Sequence, residues 1–232
     1  MMVRRFHEVL RHAALAPGLS VLDLGCGWAY GTHWARVSGC TVSGIDLALD
    51  QLQWARHALP DAERLRLVQA NACRTPYRTG SFDRVVSVEM MEHVYRPDRD
   101  RVIDEIVRVL KPGGRVSIST PNPASPIESV KRLAVAMPAL RRRLPSSCFP
   151  EASDDLATYH PYSYHHPLSG QELAQRLERA GIEIEGMRSF LWILKTLPDP
   201  LLGAGRLAEA ALEAIPLVNR LGATTLVWGR RR

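Results

Sequence analysis

The sequence predicts an α/β fold built on a mainly parallel sheet, and three observations predict it. Short apolar runs alternate with amphipathic stretches through residues 1–122. The stretches between the runs are long enough to be helical, right-handed crossovers that cover a sheet on both faces. Runs such as Ser20-Val-Leu-Asp-Leu24 are nearly continuously apolar, as strands buried on both faces are.

The elements follow in order. Val3, Phe6, Val9, Leu10 and Ala14 recur at helical spacing over 3–15, and Pro17-Gly18 stops that helix. Residues 20–24 form the first strand, 29–38 a helix, and Cys40 to Ile45 a second strand running up to Asp46. A helix over 48–58 ends before Pro60, and Leu65-Arg-Leu-Val68 is a third strand. Phe82 to Val88 is the fourth strand. Val102, Ile103, Ile106, Val109 and Leu110 share one face of a helix from Arg99, which Lys111-Pro-Gly-Gly114 ends before a fifth strand at 115–119.

The rhythm then breaks. Residues 121–168 are rich in proline and carry no strand pattern, so 1–232 reads as one domain with 123–168 as an inserted lid or acceptor-binding segment. Ser169-Gly-Gln-Glu172 is a capping box opening a helix that stops at Gly181. A strand over 182–194, a helix over 200–214 and a strand over 223–229 complete the chain, and the last two strands lack a full crossover, which predicts antiparallel pairing.

Composition narrows the class. The 232 residues are 46% hydrophobic and 23% charged, which excludes a disordered or collagen-like chain. No apolar run is long enough to span a membrane. The charged N-terminus does not read as a secretory signal. Four scattered cysteines with no Cys-x-x-Cys point to a reducing, cytoplasmic compartment. The formal charge of +6, with only three lysines among 30 basic residues, permits an anionic partner without demanding one.

The segment richest in chemistry is Val21-Leu-Asp-Leu-Gly-Cys-Gly-Trp-Ala-Tyr-Gly31, a strand feeding a Gly-rich turn that opens a helix. Glycines there let a ligand approach the backbone. Asp46, at the end of the second strand, has the spacing of a carboxylate that grips a ribose diol. Strand, turn, helix and strand-end acid in series predict a nucleoside site. A dinucleotide would want Gly-x-Gly-x-x-Gly, but the third position is Tyr30, and no lysine has a tyrosine four residues before it. Asp23, two residues before Gly25, suits a ligand bearing an ammonium group rather than a pyrophosphate.

Asp23-Leu-Gly-Cys-Gly27, Gly44-Ile-Asp46, Ser81-Phe-Asp-Arg-Val-Val-Ser-Val-Glu89, Glu92-His-Val94 and Arg108-Val-Leu-Lys-Pro-Gly-Gly-Arg115 together resemble the ordered motifs of class I S-adenosylmethionine-dependent methyltransferases, in their small-molecule, quinone-biosynthesis-like branch. The resemblance implies a Rossmann-like three-layer α/β/α sandwich with a seven-stranded sheet in the order 3-2-1-4-5-7-6, strand 7 antiparallel. It implies that Gly25, Cys26 and Gly27 underlie the methionine part of the cofactor and that Asp23 meets its amino end. Asp46 would take the ribose hydroxyls and Leu47 the adenine face. Asn71-Ala72 stands where many relatives have an Asp-Ala that binds the adenine amine, and Glu89 would sit beside the methionine end. Ala29 replaces a frequent glycine. The N-terminus is short for the family, so the lid is expected from elsewhere in the chain.

Methyl transfer is an in-line displacement that needs an oriented acceptor and, for a hydroxyl, a proton acceptor. His93, just after the fourth strand, is a candidate base, or else orders its loop. Tyr159-His-Pro-Tyr-Ser-Tyr-His-His-Pro167 offers His165 and His166 as further candidates in an acceptor wall, or packs as a plain loop. It lacks the acids and spacing of a metal site, so no metal is expected. The apolar stripe of Ile127, Val130, Leu133, Ala134, Met137 and Leu140, flanked by Lys131, Arg132 and Arg141–Arg143, reads as a lid, as a basic helix on an anionic membrane over 126–144, or as core packing. The expected function is methyl transfer from S-adenosylmethionine to a small, partly apolar acceptor, most simply at oxygen. Carbon or nitrogen methylation and a methyltransferase-like binding protein without chemistry are the alternatives. A nucleic-acid acceptor is disfavoured because no Asn-Pro-Pro-Tyr follows the fourth strand.

Overall fold

The computed structural model describes residues 2–60, 62–137, 164–190 and 202–232. One sheet of seven strands organises them, in the order β3-β2-β1-β4-β5-β7-β6. Its strands are β1 (Ser20–Leu24), β2 (Thr41–Asp46), β3 (Arg66–Gln69), β4 (Phe82–Val88), β5 (Leu110–Pro121), β6 (Ile182–Phe190) and β7 (Thr224–Arg231). The first five are parallel, and β7 runs antiparallel between β5 and β6. The helices are α1 (Met2–His12), α2 (Tyr30–Val37), α3 (Leu49–Ala58), α4 (Arg99–Val109), α5 (Pro126–Ala136), α6 (Gly170–Arg179), α7 (Leu202–Ala214) and α8 (Pro216–Asn219). Among the described residues no helix is long and apolar enough to cross a membrane.

Strand alternation sorts the core into two layers. Val21 and Val42 face one side, where Val9 of α1, Ala13 just after that helix and Ala35 of α2 cover them. Leu22, Leu24, Val85, Val116 and Ile118 face the other, under Val102, Ile103 and Ile106 of α4 and Leu173 and Leu177 of α6. A smaller cluster joins Leu52 and Ala55 of α3 to Leu67 and to Cys26 of the glycine turn. The capping box forms as the sequence predicts: Ser169 Oγ accepts the Glu172 N–H at 3.1 Å at the start of α6.

Element edges shift by small amounts. The fifth strand is longer than expected, Leu110–Pro121 rather than 115–119, because Leu110 already pairs with Phe82 and Lys111-Pro-Gly-Gly114 forms an irregularity at which the register shifts before Arg115 pairs with Arg84. The strand expected over 182–194 is found as Ile182–Phe190, and its last residues, 191–194, lie outside the described residues, as does most of the inserted segment, 138–163. Of the segment's apolar stripe, Val130, Leu133 and Met137 are exposed.

Candidate functional site

At the C-terminal ends of the parallel strands lies a cavity of about 530 Å³, within the range that holds a drug-sized ligand. This is the edge at which open α/β sheets bind ligands. The turn after β1 forms its floor. The N–H groups of Gly25 and Cys26 both reach Ile45 O at 2.9 Å, which folds the turn back over β2. Gly25 has φ +74°, and a Cβ there would stand 2.2 Å from Met90 Cγ, so only glycine fits. Ala29, where relatives often have glycine, keeps the left-handed conformation with φ 57° and carries the strain of a Cβ.

Asp46 is held from both sides. Its Oδ2 accepts the Gly27 N–H at 2.7 Å and its Oδ1 accepts the Ala48 N–H at 2.9 Å. The carboxylate therefore stands fixed at the strand end, with further lone pairs to offer. Gly25, Cys26, Gly27 and Asp46 all line the cavity, as do Leu47, Asn71 and Ala72. Asn71 Oδ1 accepts the Cys73 N–H at 2.8 Å in a local turn, so the side chain presents its amide with the oxygen partly engaged.

Asp23 lies elsewhere. It is fully buried beneath the turn, where Thr32 Oγ1 donates to its Oδ2 at 2.7 Å, and it is absent from the lining. Its position under Gly31 explains why that residue has no side chain: a Cβ there would sit 2.9 Å from Asp23 Oδ2. Burial pushes the Asp23 carboxyl up to about 6, with the charge of Asp46 adding to it and the Thr32 hydrogen bond opposing.

The opposite wall comes from the loop after β4. Glu89 ends the strand with φ 53°, a left-handed conformation for a bulky residue and a mark of local strain. Its Oε2 lies 3.5 Å from Arg5 of α1, while Oε1 is buried with no hydrogen-bond partner among the described residues. Burial raises the Glu89 carboxyl and the Arg5 guanidinium opposes this. Glu92 is buried further in, and burial with the neighbouring Glu89 charge pushes it well above the usual carboxyl range. His93 lines the cavity, and its Nδ1 lies 2.7 Å from Tyr164 O. A carbonyl only accepts, so Nδ1 carries the proton and the lone pair of the neutral ring is on Nε2.

His165 and His166 do not line the cavity; they stand behind it. The ring of His165 lies 5.5 Å from that of His93. His166 acts through its backbone: its N–H donates to Glu92 O at 2.8 Å, and its carbonyl accepts from Arg99. Glu92, His93 and His165 bring one ligand-type atom each to within 4.8 Å of one another. The carboxylate of this set comes from the loop after β4, outside the Tyr159–Pro167 run.

Sequence reasoning missed the contribution of α1. Arg5 and Phe6 line the cavity, residues that no sequence motif had marked. No local pattern separates Arg5 from Arg4, whose guanidinium goes instead to Glu209 and Glu213 of α7 at 2.8 Å each. The docking of α1 across β4, β5 and β7 decides it. Met90 and Tyr95, also in the lining, were equally unmarked.

Comparison with known proteins agrees with this architecture. The model of the methyltransferase domain family matches residues 22–118. The chain is 38% identical over 120 residues to methyltransferase GfsG of Streptomyces halstedii, covering 50% of this chain and 42% of that one. It is 33% identical over 189 residues to the ubiquinone biosynthesis O-methyltransferase of Bordetella avium, covering 79% of this chain and 70% of that one. The chain thus spans less than half the length of the first relative and just over two thirds of the second. Among solved structures, an S-adenosylmethionine-dependent methyltransferase from Mesorhizobium loti shares the fold with a TM-score of 0.64 at 21% identity, over 97% of this chain and 96% of that one. The chain belongs to the class I S-adenosylmethionine-dependent methyltransferase family.

Proposed function

We propose that this chain transfers a methyl group from S-adenosylmethionine to a hydroxyl of a small, partly apolar acceptor, with His93 as the base. The observation that carries the reading is the pairing, in one cavity, of a backbone-held Asp46 with a His93 whose Nε2 is free of the tautomeric proton.

The residues present fit the cofactor. The Gly25–Gly27 turn leaves room for it, Asp46 would take the ribose hydroxyls, and Leu47, Asn71 and Ala72 would flank the adenine. The orphaned Glu89 Oε1 matches an ammonium group, and Arg5 matches a carboxylate. Asp23 would act on the ammonium end through the turn above it. The cofactor supplies an electrophilic methyl group on a sulfonium. His93 would accept the hydroxyl proton at Nε2, with Tyr164 O holding Nδ1–H on the other side of the ring. The inserted segment 123–168, which starts at α5 and returns at Tyr164, would form the acceptor wall. Relatives named as ubiquinone O-methyltransferases favour an aromatic hydroxyl acceptor.

The test is titration calorimetry with S-adenosylhomocysteine, followed by turnover of methyl-labelled donor against a panel of phenols, catechols and hydroquinones. His93→Ala is expected to lose about 10²- to 10⁴-fold in turnover while binding S-adenosylhomocysteine normally. A His93→Ala protein that keeps most of its turnover sinks the base assignment. A chain that does not bind S-adenosylhomocysteine sinks the whole reading.

A further inference from the structure

Two imidazoles and a carboxylate meet at the back of the cavity wall, drawn from two stretches far apart in the chain. Glu92 and His93 stand in the loop after β4, and His165 comes from the other stretch. One ligand-type atom of each lies within 4.8 Å of the other two. Glu92 Oε1 is 4.0 Å from His93 Nε2. Two imidazoles with one carboxylate are a donor set for zinc and its first-row neighbours. Metal bonds of about 2.1 Å put neighbouring ligands about 3.4 Å apart, so this set closes by on the order of 1 Å when it binds.

Each donor is already aimed. His93 Nδ1 donates to Tyr164 O at 2.7 Å, the bond that a metal-bound histidine makes with its outer nitrogen, and the lone pair is therefore on Nε2. Glu92 Oε2 accepts from Thr120 Oγ1 at 3.3 Å, while Oε1 is the oxygen toward His93. His165 Nε2 is buried with no hydrogen-bond partner among the described residues. A buried nitrogen in that state calls for an ion or an ordered water. Charge favours the ion. Glu92 and Glu128 are both buried, and Glu128 Oε2 lies 3.8 Å from the same His165 Nε2. Two buried carboxylates beside two neutral imidazoles carry the charge that one divalent cation cancels. The way in is the cavity, because His93 lines it.

We infer that Glu92, His93 and His165 form a site for a divalent cation of the zinc type, and that the ion silences the chain by taking the His93 lone pair. The site stands on the donor set; the silencing rests on His93 being the base. A metal-bound Nε2 cannot accept a hydroxyl proton, so occupancy and turnover exclude each other. Glu92 and His165 are absent from the cavity lining, so ion and cofactor need not compete.

The test uses the full chain, stripped with a chelator and saturated with S-adenosylhomocysteine. It is titrated with zinc by calorimetry and with cobalt(II) by visible absorption. One ion per chain is expected, with the intense cobalt absorption of a four-coordinate site. His165→Ala and His93→Ala should each weaken zinc by more than about tenfold, the loss that even a group behind a ligand can cause. Magnesium, which takes oxygen ligands, should not compete. In turnover assays, saturating zinc should slow the wild type by about 10²-fold or more, and the chelator should restore it. His165→Ala should turn over like the stripped wild type and resist zinc.

Zinc that binds wild type and both variants alike, or that magnesium displaces at equal concentration, overturns the site. Zinc that fills the site and leaves turnover intact overturns the silencing, and stripped His93→Ala then shows why. If that variant keeps its turnover, the base assignment has fallen; if it loses turnover, the base stands and the ion does not reach Nε2. Should a thermal melt show that His165→Ala does not fold, His165→Phe, which keeps a ring and removes its nitrogens, carries the same test.

Discussion

Asp23→Asn is expected to stabilise the protein, and to do so more strongly as pH rises. Asp23 is fully buried, Thr32 meets it with its hydroxyl at 2.7 Å and its backbone N–H, both neutral donors, and burial lifts its carboxyl from 3.8 to about 6. A raised acid binds its proton more tightly in the folded chain than in the unfolded one. Stability from this group is therefore present at low pH, falls as pH rises from about 4 to about 6, and stays lost above that. At about 1.4 kcal/mol per pKa unit, the ionised carboxylate at pH 8 costs about 3 kcal/mol, and roughly half of that is already lost at pH 5. Asparagine keeps an acceptor for Thr32 and never ionises. Urea unfolding of both proteins at pH 5 and pH 8 should show the variant gaining about 1.5 kcal/mol more at the higher pH. The variant should also bind S-adenosylhomocysteine more weakly, since the charge that favours an ammonium above the turn is gone. A stability difference that does not change between the two pH values refutes the argument. It would mean that water or an unseen donor solvates the carboxylate.

Asp46→Ala should weaken S-adenosylhomocysteine by about 2 kcal/mol, near 30-fold, because charge-assisted bonds to the ribose are lost; unchanged affinity in calorimetry would place the nucleoside elsewhere. It should also lower the melting temperature, because the Gly27 and Ala48 N–H groups lose their acceptor. Gly25→Ala should abolish detectable binding of the same ligand, since its Cβ would meet Met90 Cγ at 2.2 Å in a residue at φ +74°. Wild-type affinity would show that Met90 swings aside at little cost.

The fold was legible because its signals are local. β1, β2, β3 and β4 are runs whose burial needs no distant partner to be recognised, and the glycine turn and Asp46 mark their own strand ends. What was not legible depends on docking. Arg4 and Arg5 are neighbours on α1, yet one guanidinium reaches the cavity and the other the acids of α7. Asp23 has the right spacing for a ligand contact, but strand alternation turns it beneath the turn instead. His93, His165 and His166 look equivalent as imidazoles near a strand end. Only the tertiary path of 164–166 makes one a cavity wall, one the partner of Glu128, and one a backbone prop for Glu92.

The buried acids fit together as one arrangement. Asp23, Glu92 and Glu128 are buried, Glu89 lines the cavity half-buried, and burial lifts the carboxyls of Asp23, Glu89 and Glu92. Such groups destabilise a folded chain unless something cationic meets them. Arg5 meets Glu89 on one oxygen only, and the other remains orphaned. A ligand with an ammonium and a sulfonium would relieve this charge on binding, whereas a pyrophosphate ligand would add to it. Of these acids, Glu89 is the one at the cavity wall, and its unpartnered oxygen favours a cationic ligand group over a phosphate.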